Sequence, residues 1–173
     1  MPVRLLAPVV RSRGRPVGCC AVSAKDDFDD FDEPLVGVTL MLADSAQVAD
    51  GRLFILGGGL AEIGPGPQPV AIAMLIEVPW DRANIQHDWS FELLDEDGTP
   101  VLFDDQPVLV GGQFEAGRPA GLAPGTSMMV PMAINFTALP IEPGRRYVWR
   151  LAVNNTAEPE WALPFRVRPV PPE

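Results

Sequence analysis

Much of this chain is written in steps of two residues. Trp89, Phe91 and Leu93 alternate with Asp88, Ser90 and Glu92, and Met128, Val130, Met132, Ile134 and Phe136 keep the same period. So do Tyr147, Trp149, Leu151 and Val153, and then Trp161, Leu163, Phe165 and Val167. Side chains two apart share one face of a strand, so each run presents an apolar face and a more polar one. No long run repeats at the 3.6-residue helical period. Short strands separated by turn signals every ~8–12 residues predict an all-β fold, an antiparallel β-sandwich of immunoglobulin-like or jelly-roll type.

Punctuation supports that reading. Val70 to Val78 (VAIAMLIEV) is apolar on both faces and reads as a central strand. Asp97-Gly98 is a hairpin turn into Val101-Leu102-Phe103, and Val108 to Phe114 reads as another strand. Arg118 to Gly125 is a Pro/Gly loop, and Asn154-Asn155 marks a further turn. Pro131 and Pro164 have no N–H to donate, which suits edge strands or bulges and guards those edges from pairing. The step from Pro143-Gly144 to Tyr147 predicts a tyrosine corner, the hydroxyl bonding back to the preceding backbone. The Cys…Trp…Cys pattern of true immunoglobulin domains is absent.

The stretch from Leu40 to Ile63 (LMLADSAQVADGRLFILGGGLAEI) holds the densest polar cluster. Leu35 to Leu42 reads as a buried strand. Asp44 suits an N-cap, and Gln47 stands three residues on at capping-box spacing. Asp50-Gly51 closes the segment, and Arg52 to Leu56 restarts as a strand with Leu53 and Ile55 on one face. The spacing predicts a single short helical turn near residues 44–49. Gly57-Gly58-Gly59 could cradle a phosphate, but Gly64-Pro65-Gly66-Pro67 follows Ile63 and no helix can begin there. A bulge or bend is the expectation.

This block carries a resemblance. The run ADSAQVADG, an apolar strand and GGG, then Val78-Pro79-Trp80, then Ile141-Glu142-Pro143-Gly144-Arg145-Arg146-Tyr147-Val148-Trp149, resembles a family of small uncharacterised bacterial all-β proteins, a domain of unknown function. The likeness covers about Val36 to Val167. It implies an all-β domain and brings no activity, cofactor or catalytic residue.

Length and charge bound the rest. A chain of 173 residues suffices for one domain with a sizeable core. The expected division is a charge-segregated tail at 1–34, a β-sandwich domain at 35–168 and Pro-rich coil at 169–173. The tail carries Arg4, Arg11, Arg13 and Arg15 without an acid up to Ala24, then Asp26 to Glu33 (DDFDDFDE), and is expected to be disordered. Its arginines interrupt any signal-peptide core. The net charge of −10 argues against general nucleic-acid or anionic-membrane binding. No apolar run approaches the ~20 residues that span a bilayer. The two cysteines are adjacent, Cys19-Cys20, which leaves none to staple strands and fits a cytoplasmic, reducing setting.

Catalytic sets do not assemble. His87 is the one histidine; Asp88 beside it points the other way on a strand, and a surface position at a strand end is expected for it. Neither the cysteines nor a Gly-x-Ser-x-Gly elbow supplies a nucleophile in the folded region, and one histidine with two adjacent tail cysteines makes no zinc set. Asp95-Glu96-Asp97-Gly98 with Asp104-Asp105 could offer oxygens to calcium but lacks the closing ligands of an EF-hand loop, so a hairpin tip is expected. Trp89, Trp149 and Trp161 alternate into the core, which leaves Trp80 as the exposed aromatic.

The function expected is therefore a non-catalytic interaction module without a cofactor or metal, engaging a protein partner or copies of itself. Its candidate surface is Asp44, Ser45, Gln47 and Asp50, with Trp80 and the tail residues Phe28 and Phe31. A structural component of a larger assembly, such as a virion or shell, and a small-ligand or carbohydrate-binding domain are the alternatives.

Overall fold

The computed structural model describes residues 36–172. The described residues form twelve strands, eight of them in two main sheets: β1 (Gly37–Ala43), β2 (Ser45–Ala49), β3 (Arg52–Leu56), β4 (Glu62–Ile63), β5 (Val70–Val78), β6 (Gln86–Asp95), β7 (Leu102–Phe103), β8 (Gln106–Pro107), β9 (Leu109–Glu115), β10 (Met128–Phe136), β11 (Arg146–Val153) and β12 (Ala162–Val167). One sheet has the order β1-β5-β10 and the other β4-β12-β11-β6-β9; β2-β3 and β7-β8 are separate two-stranded ribbons. The only helical pieces among the described residues are two three-residue 3₁₀ turns, Trp80–Arg82 and Pro159–Trp161.

The two main sheets face each other across one core. From β5, the Val70, Ile72, Met74, Ile76 and Val78 side chains point inward, as period two demands. They meet Phe91 and Leu93 of β6 and Trp149 and Leu151 of β11, all four fully buried. Phe136 stacks on Trp149 at 5.0 Å and Phe91 meets it edge-on at 6.2 Å. Such pairs add about 0.5–1.5 kcal/mol each beyond burial. Trp89, Trp149 and Trp161 are all buried, as their alternation predicts. The tyrosine corner is present: the Glu142 N–H donates to the Tyr147 hydroxyl at 2.9 Å. That bond ties the turn before β11 to its first buried ring.

One lateral side of the sandwich is closed by the chain between β3 and β5. Gly59 and Leu60 donate their N–H groups to the Leu42 carbonyl on the edge of β1, and Glu62–Ile63 then pairs in parallel with Arg166–Val167 of β12. The glycine segment is therefore the predicted bend between two sheets. β10 is an edge strand carrying Pro131, as its proline requires. Pro164 lies on the part of β12 that β4 leaves uncovered, since β4 reaches only Arg166 and Val167.

Two expectations are overturned. Residues 44–49 form no helical turn; Ser45–Ala49 is strand β2, paired in register with β3 from Ser45↔Leu56 to Ala49↔Arg52. The turn chemistry decided this. Asp50 and Gly51 take φ of 49° and 69°, the left-handed pair of a type I′ hairpin, which matches strand twist and cannot end a helix that has only one turn to offer. His87 is not on the surface: it is 2% exposed and stacked on Phe114 at 5.1 Å. Asn154 Oδ1 accepts from the Asp88 N–H, so its amide nitrogen donates to His87 Nδ1 at 2.9 Å. Nε2 then donates to the Arg82 carbonyl at 3.1 Å, and both ring nitrogens are satisfied in a neutral tautomer.

Candidate functional site

The outward face of β5 is built from small residues where it matters. Ala71 and Ala73 are buried on the side opposite the core, and Ala43 and Ala46 pack on them, with Leu53 and Ala133 at the margin. Methyl groups let another backbone approach closely, and the β2-β3 ribbon uses that approach: it folds back over the outer face of the β1-β5-β10 sheet. Asn135 of β10 locks it there. Its Oδ1 accepts from the Ala46 N–H at 3.2 Å and its Nδ2 donates to the Ala46 carbonyl at 2.8 Å. One side-chain amide thus does for β2 what a neighbouring strand would do.

That pairing also fixes which way β3 faces. In an antiparallel ladder, opposed residues alternate between bonding each other and pointing away. Ala46 points away from β3, toward Asn135, so its partner Ile55 points away from β2. Leu53, two residues back, does the same. The N–H and C=O groups of Leu53 and Ile55 line an edge that nothing among the described residues pairs.

The side chains of β3 are as unusual as its edge. Phe54 is 55% exposed and Leu56 70%, on the face turned from the sheet, and Ile55 and Val48 are also exposed. Gly57 and Gly58 close the ribbon against the body. Gly57 has φ of 62°, and a Cβ there would collide with the Asp44 carboxylate; a Cβ at Gly58 would lie 2.6 Å from Met41 Sδ and 2.9 Å from Ile55 Cγ2. Glycine suits position 57 for its left-handed φ, and at Gly58 a side chain would require Met41 and Ile55 to shift.

The residues predicted for an interaction surface fall into three places. Asp44, Ser45, Gln47 and Asp50 are all exposed and are spread along the ribbon, Asp44 at its root and Asp50 at its turn. Asp44 is no helix cap: its N–H joins the ladder by donating to the Leu56 carbonyl at 3.1 Å. Ser45 stands opposite Leu56 and Gln47 opposite Phe54, so these polar groups flank the exposed apolar pair. Trp80 is elsewhere, beyond Val78, while the ribbon packs at Ala71 and Ala73; at ~3.3 Å per residue the two ends of β5 are more than about 20 Å apart. Nor is Trp80 bare. It is half-buried, and the Arg118 guanidinium lies 4.4 Å over its ring and donates to its carbonyl at 2.7 Å. Phe28 and Phe31 lie outside the described residues.

Phe54, Ile55, Leu56 and Asn135 are the residues that sequence reasoning missed. The signal for the first three was present: Leu53-Phe54-Ile55-Leu56 is apolar on both faces, which a half-exposed strand should not be. No local pattern marks Asn135, whose partner is 89 residues away.

Two clefts complete the surface. One, of about 280 Å³, runs between the ribbon and the β9 edge, lined by Gln47, Val48, Trp89, Gln113, Pro131 and Asn135. The other, wider and open, of about 620 Å³, lies on the far sheet among Glu96, Asp97, Arg146 and Arg166. Ser45 has no histidine to activate it, since both nitrogens of His87 are bonded elsewhere. Asp95 spends one carboxylate oxygen on the N–H groups of Asp97 and Thr99, at 3.0 and 2.8 Å, which builds the hairpin tip. Among the described residues no three His, Cys, Asp or Glu side chains gather as a metal would need. No helix there is long and apolar enough to cross a membrane.

The geometry defines an all-β domain of two facing sheets with an apolar ribbon mounted on one of them. The chain belongs to a family of unknown function, DUF6941, whose model matches residues 38–168. Neither the curated proteins nor the solved structures yield a match.

Proposed function

We propose that this protein is a non-catalytic interaction module that binds a protein partner through the β2-β3 ribbon. One observation carries the reading: Phe54 and Leu56 stand exposed on a ribbon held rigidly by an alanine bed and by Asn135. Apolar side chains on a fixed scaffold, rimmed here by Asp44, Ser45, Gln47 and Asp50, form the usual anatomy of a recognition patch. The scaffold is read as immunoglobulin-like. Its β1-β5-β10 sheet set against β12-β11-β6-β9, with the tyrosine corner on β11, supports that over a jelly roll. The proposal includes action in the cytoplasm, on the adjacency of Cys19 and Cys20.

The test is affinity capture from the source cell with the full chain and a Phe54→Asp/Leu56→Asp variant, each also measured by light scattering. A specific partner held by the wild type and lost by an equally folded variant is the expected result. Equal capture by both chains would remove the ribbon from the interaction.

A further inference from the structure

Leu53 and Ile55 turn their N–H and C=O groups to the outer edge of β3, and nothing among the described residues bonds them. In an antiparallel neighbour, the residue set opposite each would exchange two hydrogen bonds with it. Its side chain would point the same way as its partner's, which for Leu53 is down onto the sheet.

The sheet beneath that edge has room for such side chains. β2 lies over the row Ala43, Ala71 and Asn135, because Asn135 holds Ala46. β3 lies over the next row, Met41, Ala73 and Ala133, because Met41 and Ile55 converge on Gly58 and Leu53 packs on the alanines. The following rows are Thr39, Leu75 and Pro131, then Gly37, Glu77 and Met129. No strand among the described residues lies over them; Leu75 is half-buried and Met129 is 52% exposed.

Charge selects the occupant. Asp44 stands at the root of the ribbon, and Glu77 leans over Gly37 on the same, β1, side. Both are exposed, and neither has an ion-pair partner among the described residues. The turn end carries one charge of each sign, Asp50 and Arg52. A second copy fits badly. It would bring the same two acids, and antiparallel pairing of β3 with its counterpart needs a two-fold axis normal to the ribbon. Both β1-β5-β10 sheets would then occupy the same side of the joined ribbons and collide.

We infer that β3 takes an extended, cationic segment of a partner protein as an added antiparallel strand. Two apolar residues at alternate positions bond Ile55 and Leu53 and rest over Thr39, Leu75 and Pro131. The residue between them points outward beside Phe54. Antiparallel pairing meets Ile55 first, so the Lys or Arg that answers Asp44 and Glu77 precedes the apolar pair. Main-chain bonds supply the hold and the alternate side chains the selectivity, as in strand addition to other sheet edges. This inference rests on reading the ribbon as the interaction surface and adds the kind of partner segment it receives.

The test selects a random display library of peptides about ten residues long on the full chain. An enriched peptide is then synthesised in two N-methylated forms, one blocking the N–H groups of the two apolar residues and the other that of the residue between them. Strand addition predicts about tenfold or more loss of affinity from the first and little change from the second. The peptide should also slow exchange at the Leu53 and Ile55 amides while Trp149 protection, which reports the fold, stays constant. Glu77→Lys should weaken the peptide by about two- to fivefold and favour a version carrying Glu in place of its basic residue. No enriched peptide, equal loss from both methylated forms, or binding without protection at Leu53 and Ile55 overturns the inference. So does protection already present in the chain alone, which assigns the edge to a second copy if it falls on dilution and to the chain's own residues if it persists. None of these outcomes touches capture through Phe54 and Leu56, and peptide binding that survives Phe54→Asp/Leu56→Asp would stand even if capture did not.

Discussion

The molecule carries two short ribbons outside its main sheets, and they differ in how they are held. The β2-β3 ribbon is five residues a side, seated on Ala71 and Ala73 and clamped by Asn135. The β7-β8 ribbon is two residues a side and projects from the end of β6, with Leu102 and Phe103 both exposed. Each turns through left-handed residues: Asp50-Gly51 in the first, Asp104-Asp105 at φ of 50° and 61° in the second. Both show apolar side chains to solvent, but only the first lies against a sheet along its length; the second is tied at its root alone, where Val101 and Val108 bond the backbone of Leu93. Mounting, more than exposure, separates a recognition surface from a loop tip, because an ordered patch has already lost the conformational freedom that binding would otherwise remove.

Substitutions can break that contrast, and the largest effect should come from the bed itself. Ala73→Leu inserts three carbons between sheet and ribbon, and overpacking of this kind costs about 1–3 kcal/mol. A chemical-denaturation midpoint lowered accordingly, with fast exchange confined to β2 and β3, is the expected outcome. An unchanged midpoint would mean that the ribbon rests loosely on the sheet.

Removing the clamp comes next. Asn135→Ala leaves the Ala46 N–H and carbonyl without their amide partner, at a cost of about 1–3 kcal/mol if water cannot reach them. Exchange at Ala46 should rise while the Phe91 and Trp149 amides stay protected. The glycine closure should give about 1–3 kcal/mol as well: Gly57→Ala forces a side chain into a left-handed position and onto Asp44. Here a double-mutant cycle sharpens the point, since adding Asp44→Gly should recover the collision but not the backbone strain. Full recovery would show that φ at Gly57 carries no cost.

The smallest effects belong to the exposed tips. Phe54→Ser on the first ribbon and Phe103→Ser on the second should each change stability by less than about 0.5 kcal/mol, as surface substitutions do. Only Phe54→Ser should weaken partner capture. Equal loss from both would erase the distinction between the ribbons.

The strands and their faces were legible because period two is a local property. Trp89, Phe91 and Leu93 are buried where alternation places them, and the Met128–Phe136 run is β10 from end to end. The tyrosine corner was readable from a turn and one ring. The helical turn at 44–49 failed because Asp44 and Gln47 fit a capping spacing by chance, while Asp50-Gly51 carried the stronger signal. The burial of His87 was not readable either: its partners Asn154, Phe114 and the Arg82 carbonyl come from three separate places in the chain.

Sequence alone, then, determined the inside of the long alternating strands β6, β10, β11 and β12, several of the turns between strands and the prolines that guard two edges, since all of these depend on neighbours within a few residues. Tertiary structure alone decided where the ribbon lies and what it shows. Alanines on β5 read merely as small until β2 packs on them, and Asn135 reads as an ordinary strand asparagine until Ala46 arrives from 89 residues away. Exposure of Phe54 and Leu56 is likewise a property of what fails to cover them, which no local spacing records.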